Sequence, residues 1–202
     1  MAASTTNKST TNNPQNVTLA KTTKVGGYAW WAPADTTLPT DVSTTLPNDY
    51  VLLGYISEDG ITNSPETETT EVKEMGGSTV LEVITGYKET YQFKLIEFLR
   101  KAAAQVRYGT DNVTGTDGEM TITHTMPDAE EFILVFETAL TGGRKSRMVI
   151  PAATRAELGE DQRSGSDAIG YDVTVAANPS EQIEGGTSRE YIGTVTTVSN
   201  GS

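Results

Sequence analysis

The chain has 202 residues, enough for one domain with an arm, and a chain of this size buries roughly 70% of its unfolded surface without covalent staples. It holds no cysteine and a single histidine, which excludes disulfides, cysteine-based zinc sites and Cys–His nucleophiles. The net charge is −12, and because the first 34 residues hold three lysines and no acid, the remainder carries −15 and repels nucleic-acid phosphates.

The first segment, residues 1–24, consists of Thr, Asn, Ser and Lys with almost nothing apolar. Such a segment cannot bury enough surface to offset its ordering entropy, so we predict an arm that is disordered alone and orders against a partner. We predict one domain over residues 25–196 and a polar tail at 197–202. No signal-peptide core and no apolar run of about 18 residues is visible, so we expect a cytosolic origin and no membrane span.

A β pattern begins with the aromatic, Gly-rich segment Val25–Ala32 and is then interrupted over residues 33–49. Prolines at this density argue against a helix or a central strand. We predict a long ordered loop or extended hairpin there, and loops of this length are usually functional or disordered. The prolines are Pro33, Pro39 and Pro47.

Four further strands precede the predicted helix. The Asp59-Gly60 dipeptide favours a tight turn and should end the first of them. In the last, alternation places Tyr91, Phe93 and Leu95 on one face. The strands are predicted at Tyr50–Ser57, Thr67–Met75, Thr79–Thr85 and Glu89–Ile96.

Helical spacing predicts one α-helix over residues 97–108, closed by Gly109 as the C-cap. Its apolar face is thin enough to lie close on a sheet. That face comprises Leu99, Ala102, Ala103 and Val106.

After the helix the β pattern resumes, with turns at Asp117-Gly118 and Gly142-Gly143. Phe132–Phe136 is apolar on both faces and should be the most buried strand. The whole predicts a mostly antiparallel β fold, a sandwich or partly open barrel with one flanking helix. The other predicted strands are Glu119–Thr125, Arg147–Ile150, Tyr171–Val175 and Tyr191–Val195.

Catalytic patterns are missing from the sequence. His124 lies in Thr-His-Thr on a predicted strand, without a second His or any Cys, so we expect it to be structural. No phosphate-binding Gly motif occurs. A glycosidase needs only two carboxylates, but acids spread along polar strands usually form a solvated face. We expect no enzyme, no cofactor and no metal site.

Trp30 and Trp31 form either a carbohydrate platform or part of a core or interface. On a strand, neighbouring residues face opposite sides, so one of the two should meet solvent or another subunit.

The segment GGYAWWAPADTTLPTDVSTTLPNDYVLLGYISEDGIT (Gly26–Thr62) resembles the opening of major tail proteins of siphophages that infect Gram-positive, especially actinobacterial, hosts. Glu68–Gly76 is similar to their Thr-Glu-x-Lys strand, and Glu89–Gly109 to their strand-into-helix unit. Pro151–Ala153 also fits the pattern. The resemblance covers Val25–Ala177, whereas the Thr/Asn-rich start does not align.

The resemblance implies β-sandwich subunits with a flanking helix that close into hexameric rings, as in type VI secretion tubes. Rings stack around a tape measure protein, between terminator and tip proteins, into a tube that conducts DNA into the host. It implies a virion tail protein, assembled in the host cytoplasm, without a membrane or specific DNA binding.

On this basis we predict which residues serve the tube. Acids should face the lumen and let DNA slide. The arm and the loop at 33–49 should order between rings on assembly. The candidate lumen acids are Glu66, Glu68, Glu71 and Glu74, and the candidate contacts between subunits are Trp30, Trp31, Leu38, Pro39, Leu46 and Pro47.

Two other hypotheses remain open. A virion decoration protein or carbohydrate-binding β-sandwich module would use Trp30 and Trp31, remain a monomer or trimer and bind a ligand. A glycoside hydrolase would show a cleft with a raised carboxyl pKa and turnover.

Overall fold

A computed structural model of the chain describes residues 12–21, 29–127, 129–160 and 163–194. The predicted tail at 197–202, and the predicted arm apart from residues 12–21, lie outside these ranges. Within them, short 3-10 turns occur at Pro14–Asn16 and Glu181–Ile183. The strands and the α-helix are β1 (Ala20–Lys21), β2 (Ala29–Pro33), β3 (Val51–Gly54), β4 (Ile56–Lys73), β5 (Thr79–Leu95), α1 (Lys101–Tyr108), β6 (Val113–Thr116), β7 (Glu119–Ile122), β8 (Phe132–Leu140), β9 (Arg144–Leu158), β10 (Tyr171–Ala177) and β11 (Arg189–Thr194).

Nine of the described strands form one large antiparallel sheet, seven of them in the order β3-β2-β8-β9-β10-β5-β4. β1 also pairs with β8, and β11 pairs with β9, while β6 and β7 form a separate hairpin. The predicted mostly antiparallel β fold with one helix is therefore confirmed. β3 and β4 lie at the two ends of this order, although only Tyr55 separates them in the chain.

The central strand β8 is covered on both faces, as its sequence predicts. Phe132, Leu134 and Phe136 lie in a core shared with β5, β10 and α1. Ile133 and Val135 lie in a second core on the opposite face. All five side chains are buried, because alternation divides an apolar run between two cores.

The helix begins at Lys101, four residues later than predicted. Glu97–Arg100 forms a turn instead, in which the Arg100 N–H donates to the Glu97 carbonyl at 2.9 Å. The Asp117 carboxylate accepts from the Lys101 N–H at 2.9 Å and so fixes the helix start. Leu99 therefore lies outside the helix and is 64% exposed, so its assignment to the packed face is wrong. Ala102, Ala103 and Val106 are buried and Gly109 is the C-cap, as predicted.

The Asp59-Gly60 dipeptide does not end its strand, contrary to the prediction. β4 continues to Lys73, and the ladder passes from the pair Ile56↔Leu95 to Ile61↔Phe93 across an irregularity. Gly60 has a φ of 78°, which suits a β-bulge as well as a turn. The two strands predicted at Thr79–Thr85 and Glu89–Ile96 are likewise one continuous strand, β5. The turns at Asp117-Gly118 and Gly142-Gly143 are confirmed as the β6–β7 and β8–β9 connections.

Candidate assembly surface

β4 and β5 continue beyond the sheet as a long two-stranded ladder whose outer part, residues 66–88, we call the projecting hairpin. Every residue from Thr62 to Thr85 is exposed. At about 3.3 Å per residue, the eight residues from Glu66 to Lys73 extend roughly 26 Å. An isolated hairpin is marginally stable in water, so this one is suited to rest on another surface.

The projecting hairpin carries exposed apolar side chains on both faces. Cross-strand partners share a face, so Val72 lies with Leu81, and Val83 lies on that same face opposite Thr70. The other face presents Ile84 and Tyr87, which are 65% and 54% exposed. Clustered exposed apolar groups mark interaction sites in folded proteins.

The four predicted lumen acids do not share one face of this hairpin. Glu66 and Glu68 lie on the face of Val72, whereas Glu71 lies on the opposite face across from Glu82. Glu74 belongs to the tip. The structure thus brings two of the four together, and their orientation toward a lumen stays a prediction.

The tip of the hairpin is held by the side chain of Glu74. Its carboxylate accepts from the backbone N–H groups of Gly76, at 3.0 Å, and Ser78, at 3.4 Å. These hydrogen bonds, the one from Gly76 first, hold the pKa of Glu74 below its usual value. The side chain of Met75, which lies between Glu74 and Gly76 in the chain, is fully exposed. The tip therefore presents an apolar side chain on an ordered turn.

The base of the hairpin is anchored by the buried carboxylate of Glu89. It accepts from Asn63 Nδ2 at 2.6 Å, Tyr91 Oη at 2.8 Å, Ser188 Oγ at 3.1 Å and Thr187 Oγ1. Burial raises the pKa of this carboxyl, but the hydrogen bonds lower it further, and the net pKa lies below the usual value. Glu89 thus joins β4 and β5 to the segment that precedes β11.

Residues 34–50 form a loop that folds back over the sheet. Leu38 and Leu46 pack against the second core, and Pro39 is buried. Tyr50 Oη donates to the Thr37 carbonyl at 3.1 Å, which ties the loop to the start of β3. This loop packs on its own domain. Its contact with a second subunit stays a prediction for Leu38, Pro39, Leu46 and Pro47.

A buried ion cluster supports the same loop. Arg147 is 2% exposed and Glu137 8%, and Arg147 Nε donates to Glu137 Oε1 at 2.7 Å. Lys145 Nζ lies 2.7 Å from Glu137 Oε2. Arg147 Nη1 donates to the Asp41 carbonyl at 2.6 Å, so the cluster holds the middle of the loop against β8 and β9.

Trp30 and Trp31 lie on opposite faces of β2, as alternation predicts. Trp31 contacts the first core, edge-on to Phe132 at 6.5 Å between ring centroids, and Trp30 contacts the second. They therefore do not form one stacking platform. Both indole N–H groups are buried without a hydrogen-bond partner in the part of the chain that the structure describes.

The imidazole ring of His124 packs against the Tyr108 ring, with 4.8 Å between the ring centroids. Among the described residues, no cluster of three or more His, Cys, Asp or Glu side chains is arranged to hold a metal ion. Over the same ranges, no helix has the length and apolar character needed to cross a membrane.

The exposed apolar side chains that sequence reasoning missed are Met75 and those of the outer part of β5, Val80, Leu81, Val83 and Ile84. The signal was the segment TVLEVIT after Gly76-Gly77, which is apolar on both faces and lies opposite a Thr/Glu-rich strand. Alternation alone cannot tell whether such a strand is buried or projects from the domain.

The described residues thus form a β domain with an anchored, projecting hairpin and a loop packed back on its sheet. A sequence model of the family described as phage tail tube protein matches residues 10–185. The chain belongs to the phage tail tube protein family. It is a structural protein of the phage tail, as the sequence resemblance over Val25–Ala177 implies.

Two solved structures that match this chain are distant from it. The tube-terminating cap of the anti-feeding prophage is 12% identical with a TM-score of 0.41, over 80% of this chain and 96% of that one. The PVC sheath–tube complex of an extracellular contractile injection system, in its extended state, is 10% identical with a TM-score of 0.35, over 83% and 89%. A comparison with curated proteins gives no match.

Proposed function

We propose that this subunit closes into hexameric rings that stack into the tail tube and form the conduit for DNA ejection. Assembly takes place in the host cytoplasm, around a tape measure protein and between terminator and tip proteins. DNA passes without specific binding, because the acidic body repels phosphates. The subunit has no catalytic role in this proposal.

The projecting hairpin supports this proposal most directly. Its two faces expose Val72, Leu81 and Val83 on one side and Ile84 and Tyr87 on the other. A lone monomer would leave this apolar surface and the outer edge of β4 in water, which invites association. A ring of subunits buries both, and a head-to-tail contact closes a ring when its rotation permits.

The test is to shorten the hairpin and compare assembly with the wild-type chain. Replacing residues 67–87 by Asn-Gly joins the paired residues Glu66 and Lys88 by a two-residue turn suited to a hairpin. The variant retains Asn63 and Glu89 at the base. We expect rings and tubes from the wild-type chain in negative-stain electron microscopy, and a folded monomer in sedimentation from the shortened chain. Tubes from the shortened chain would contradict the role of the hairpin. A wild-type chain that binds a glycan and stays monomeric at all concentrations would favour the carbohydrate-binding alternative.

The arm and the loop extend the proposal to contacts between rings. In the described part of the arm, Ala20 and Lys21 pair with Leu140 and Ala139 at the end of β8. Thr141 N–H donates to Thr18 Oγ1 at 3.0 Å. Residues 12–20 are exposed, so they are available to a neighbouring ring.

Charge reversal of the hairpin acids tests whether the hairpin helps to line the conduit. We expect the triple variant Glu66→Lys, Glu68→Lys, Glu71→Lys to form normal tubes and to impair DNA ejection, because lysines hold phosphates. The measurement is infectivity beside tube counts in micrographs. The separate variants Glu66→Lys/Glu68→Lys and Glu71→Lys report which face matters, since these acids lie on opposite faces. Normal infectivity of the triple variant would show that these acids do not meet the DNA.

A further inference from the structure

The free edge of β4 carries a proline. β4 lies at one end of the strand order, so among the described strands only β5 pairs with it. This ladder runs without a change of register over residues 61–68 of β4, and the exposed Pro65 lies opposite Glu89 within it. A long unpaired edge invites pairing with another chain, and proline is one of the residues that interrupt such an edge.

The backbone of Pro65 faces the free edge, away from β5. The Ser64 carbonyl accepts a hydrogen bond from Thr90 Oγ1 of β5 at 3.4 Å. The Glu68 carbonyl accepts one from Thr85 Oγ1, also at 3.4 Å. Backbone groups of successive residues in an antiparallel strand point alternately to its two sides, so those of Pro65 point outward. Because proline has no N–H, the free edge lacks a donor at this position while the ladder with β5 loses none.

Edge-to-edge pairing of β4 with β4 of a second copy would meet this missing donor twice. In the symmetric antiparallel register that spans residues 61–73 completely, Thr67 lies opposite Thr67 of the other copy. Pro65 of each copy then lies opposite Thr69 of the other. Twofold symmetry repeats every pair, so the dimer loses two ladder hydrogen bonds.

The same register also brings like charges together. Glu66 of each copy lies opposite Glu68 of the other, and both side chains are on the exposed part of β4. Shifting the register by two residues places Glu66 opposite Glu66 in one direction and Glu68 opposite Glu68 in the other. Residues directly opposite each other have Cβ atoms about 4.5–5.5 Å apart, and like charges there are destabilising. All three central registers are therefore disfavoured.

A bulge limits the free edge at its inner end. Residues 57–60 of β4 lie opposite a single residue of β5, Lys94. Glu58 and Asp59 are exposed within this bulge. A bulge bends and twists its strand, so an added strand cannot follow the edge of β4 beyond this point.

We propose that Pro65, together with Glu66 and Glu68, keeps β4 from pairing with β4 of a second copy and so protects the free subunit from a symmetric dimer. Such a dimer uses the same surface on both copies and closes on itself, whereas a head-to-tail contact joins two different surfaces. A head-to-tail neighbour meets Pro65 once per contact and need not place glutamates opposite Glu66 and Glu68. The inference rests on the proposed function only in treating the symmetric dimer as unproductive for tube assembly.

A disulfide at the symmetry axis of this dimer tests the inference. Thr67 would lie opposite itself, and the chain contains no cysteine. At a concentration below that of tube formation, we expect full-length Thr67→Cys/Pro65→Thr to give at least about tenfold more disulfide-linked dimer on oxidation than Thr67→Cys alone. Tenfold corresponds to about 1.4 kcal/mol, which two restored hydrogen bonds supply.

The matched control is Thr67→Cys/Ser64→Thr. It places the same β-branched residue on the same exposed strand, but Ser64 directs its backbone groups to β5 and already has its N–H. Its dimer yield should equal that of Thr67→Cys alone. Adding Glu66→Gln/Glu68→Gln to the Pro65→Thr variant should raise the yield further, and the absence of a rise overturns the role of the acids.

The outcomes separate the inference from the proposed function. Equal dimer yields from the Pro65→Thr and Ser64→Thr variants overturn the inference, whatever the wild-type chain assembles into. If Pro65→Thr does not fold, Pro65→Ala decides in its place, because alanine also restores the N–H. A wild-type chain that forms neither rings nor tubes overturns the proposed function, and the comparison of dimer yields still decides the inference.

Discussion

The variant Arg147→Ala is expected to lower the free energy of unfolding by about 3–5 kcal/mol, the range for breaking a buried ion pair from one side. Arg147 is 2% exposed and makes hydrogen bonds to Glu137 and to the Asp41 carbonyl. Its removal leaves Glu137 buried with Lys145 as its remaining ion-pair partner among the described residues. Chemical denaturation monitored by tryptophan fluorescence measures the change.

A matched control separates the ion pair from the loop that it holds. The double variant Arg147→Met/Glu137→Leu replaces both charges by apolar side chains and should recover most of the lost stability. It should still release the loop at residues 34–50, because the hydrogen bond to Asp41 is gone, and limited proteolysis should cut the loop faster than in the wild-type chain. A loss below about 1 kcal/mol in Arg147→Ala would show that the cluster is only a surface-like pair.

The variant Glu89→Leu is expected to cost about 3 kcal/mol, because it removes a buried acceptor from four hydrogen bonds. The effect depends on pH. The folded pKa of Glu89 lies below the ordinary value of 4.5, so its stabilisation is present above that value and is lost as the pH falls through the folded pKa. The difference in stability between wild type and variant should therefore be widest at neutral pH and shrink in acid.

Two other glutamate variants complete that experiment. Glu89→Gln keeps an acceptor for Asn63 Nδ2 and should lose less than Glu89→Leu. Glu82→Leu, on the exposed part of β5, should leave stability within about 0.5 kcal/mol. A difference between wild type and Glu89→Leu that stays constant from neutral to acid pH would mean that the charge of Glu89 does not act through these hydrogen bonds.

Local patterns in the sequence predict much of the fold. The alternation of Tyr91, Phe93 and Leu95 is confirmed, and all three lie in the first core. The apolar run Phe132–Phe136 is the central buried strand, because its two sets of side chains enter two different cores. The glycine turns between β6 and β7 and between β8 and β9, together with the C-cap at Gly109, follow from backbone conformations that favour glycine.

The candidate surface depends on long-range contacts that local patterns do not contain. Glu89 meets Thr187 and Ser188 from the far end of the chain. The position of the turn at Gly142-Gly143 predicts that Glu137 and Arg147 are cross-strand partners. The burial of this pair depends on a loop about a hundred residues earlier in the chain, which local patterns do not predict. Helical spacing alone places the start of the helix too early for the same reason, because the Asp117 side chain that sets it comes from the β6–β7 connection.

Glu82 lies opposite Glu71 on the projecting hairpin and places a negative charge in the middle of an exposed apolar segment of the unassembled subunit. Segment 79–85 is exposed and rich in Val, Ile and Leu, a composition that supports amyloid-like stacking when strands are free. In a fibril of identical strands, successive Glu82 carboxylates would lie about 4.8 Å apart, and their repulsion opposes growth. Glu82 therefore acts as a gatekeeper: its charge interrupts this exposed apolar segment and leaves the apolar neighbours free for a partner of different sequence.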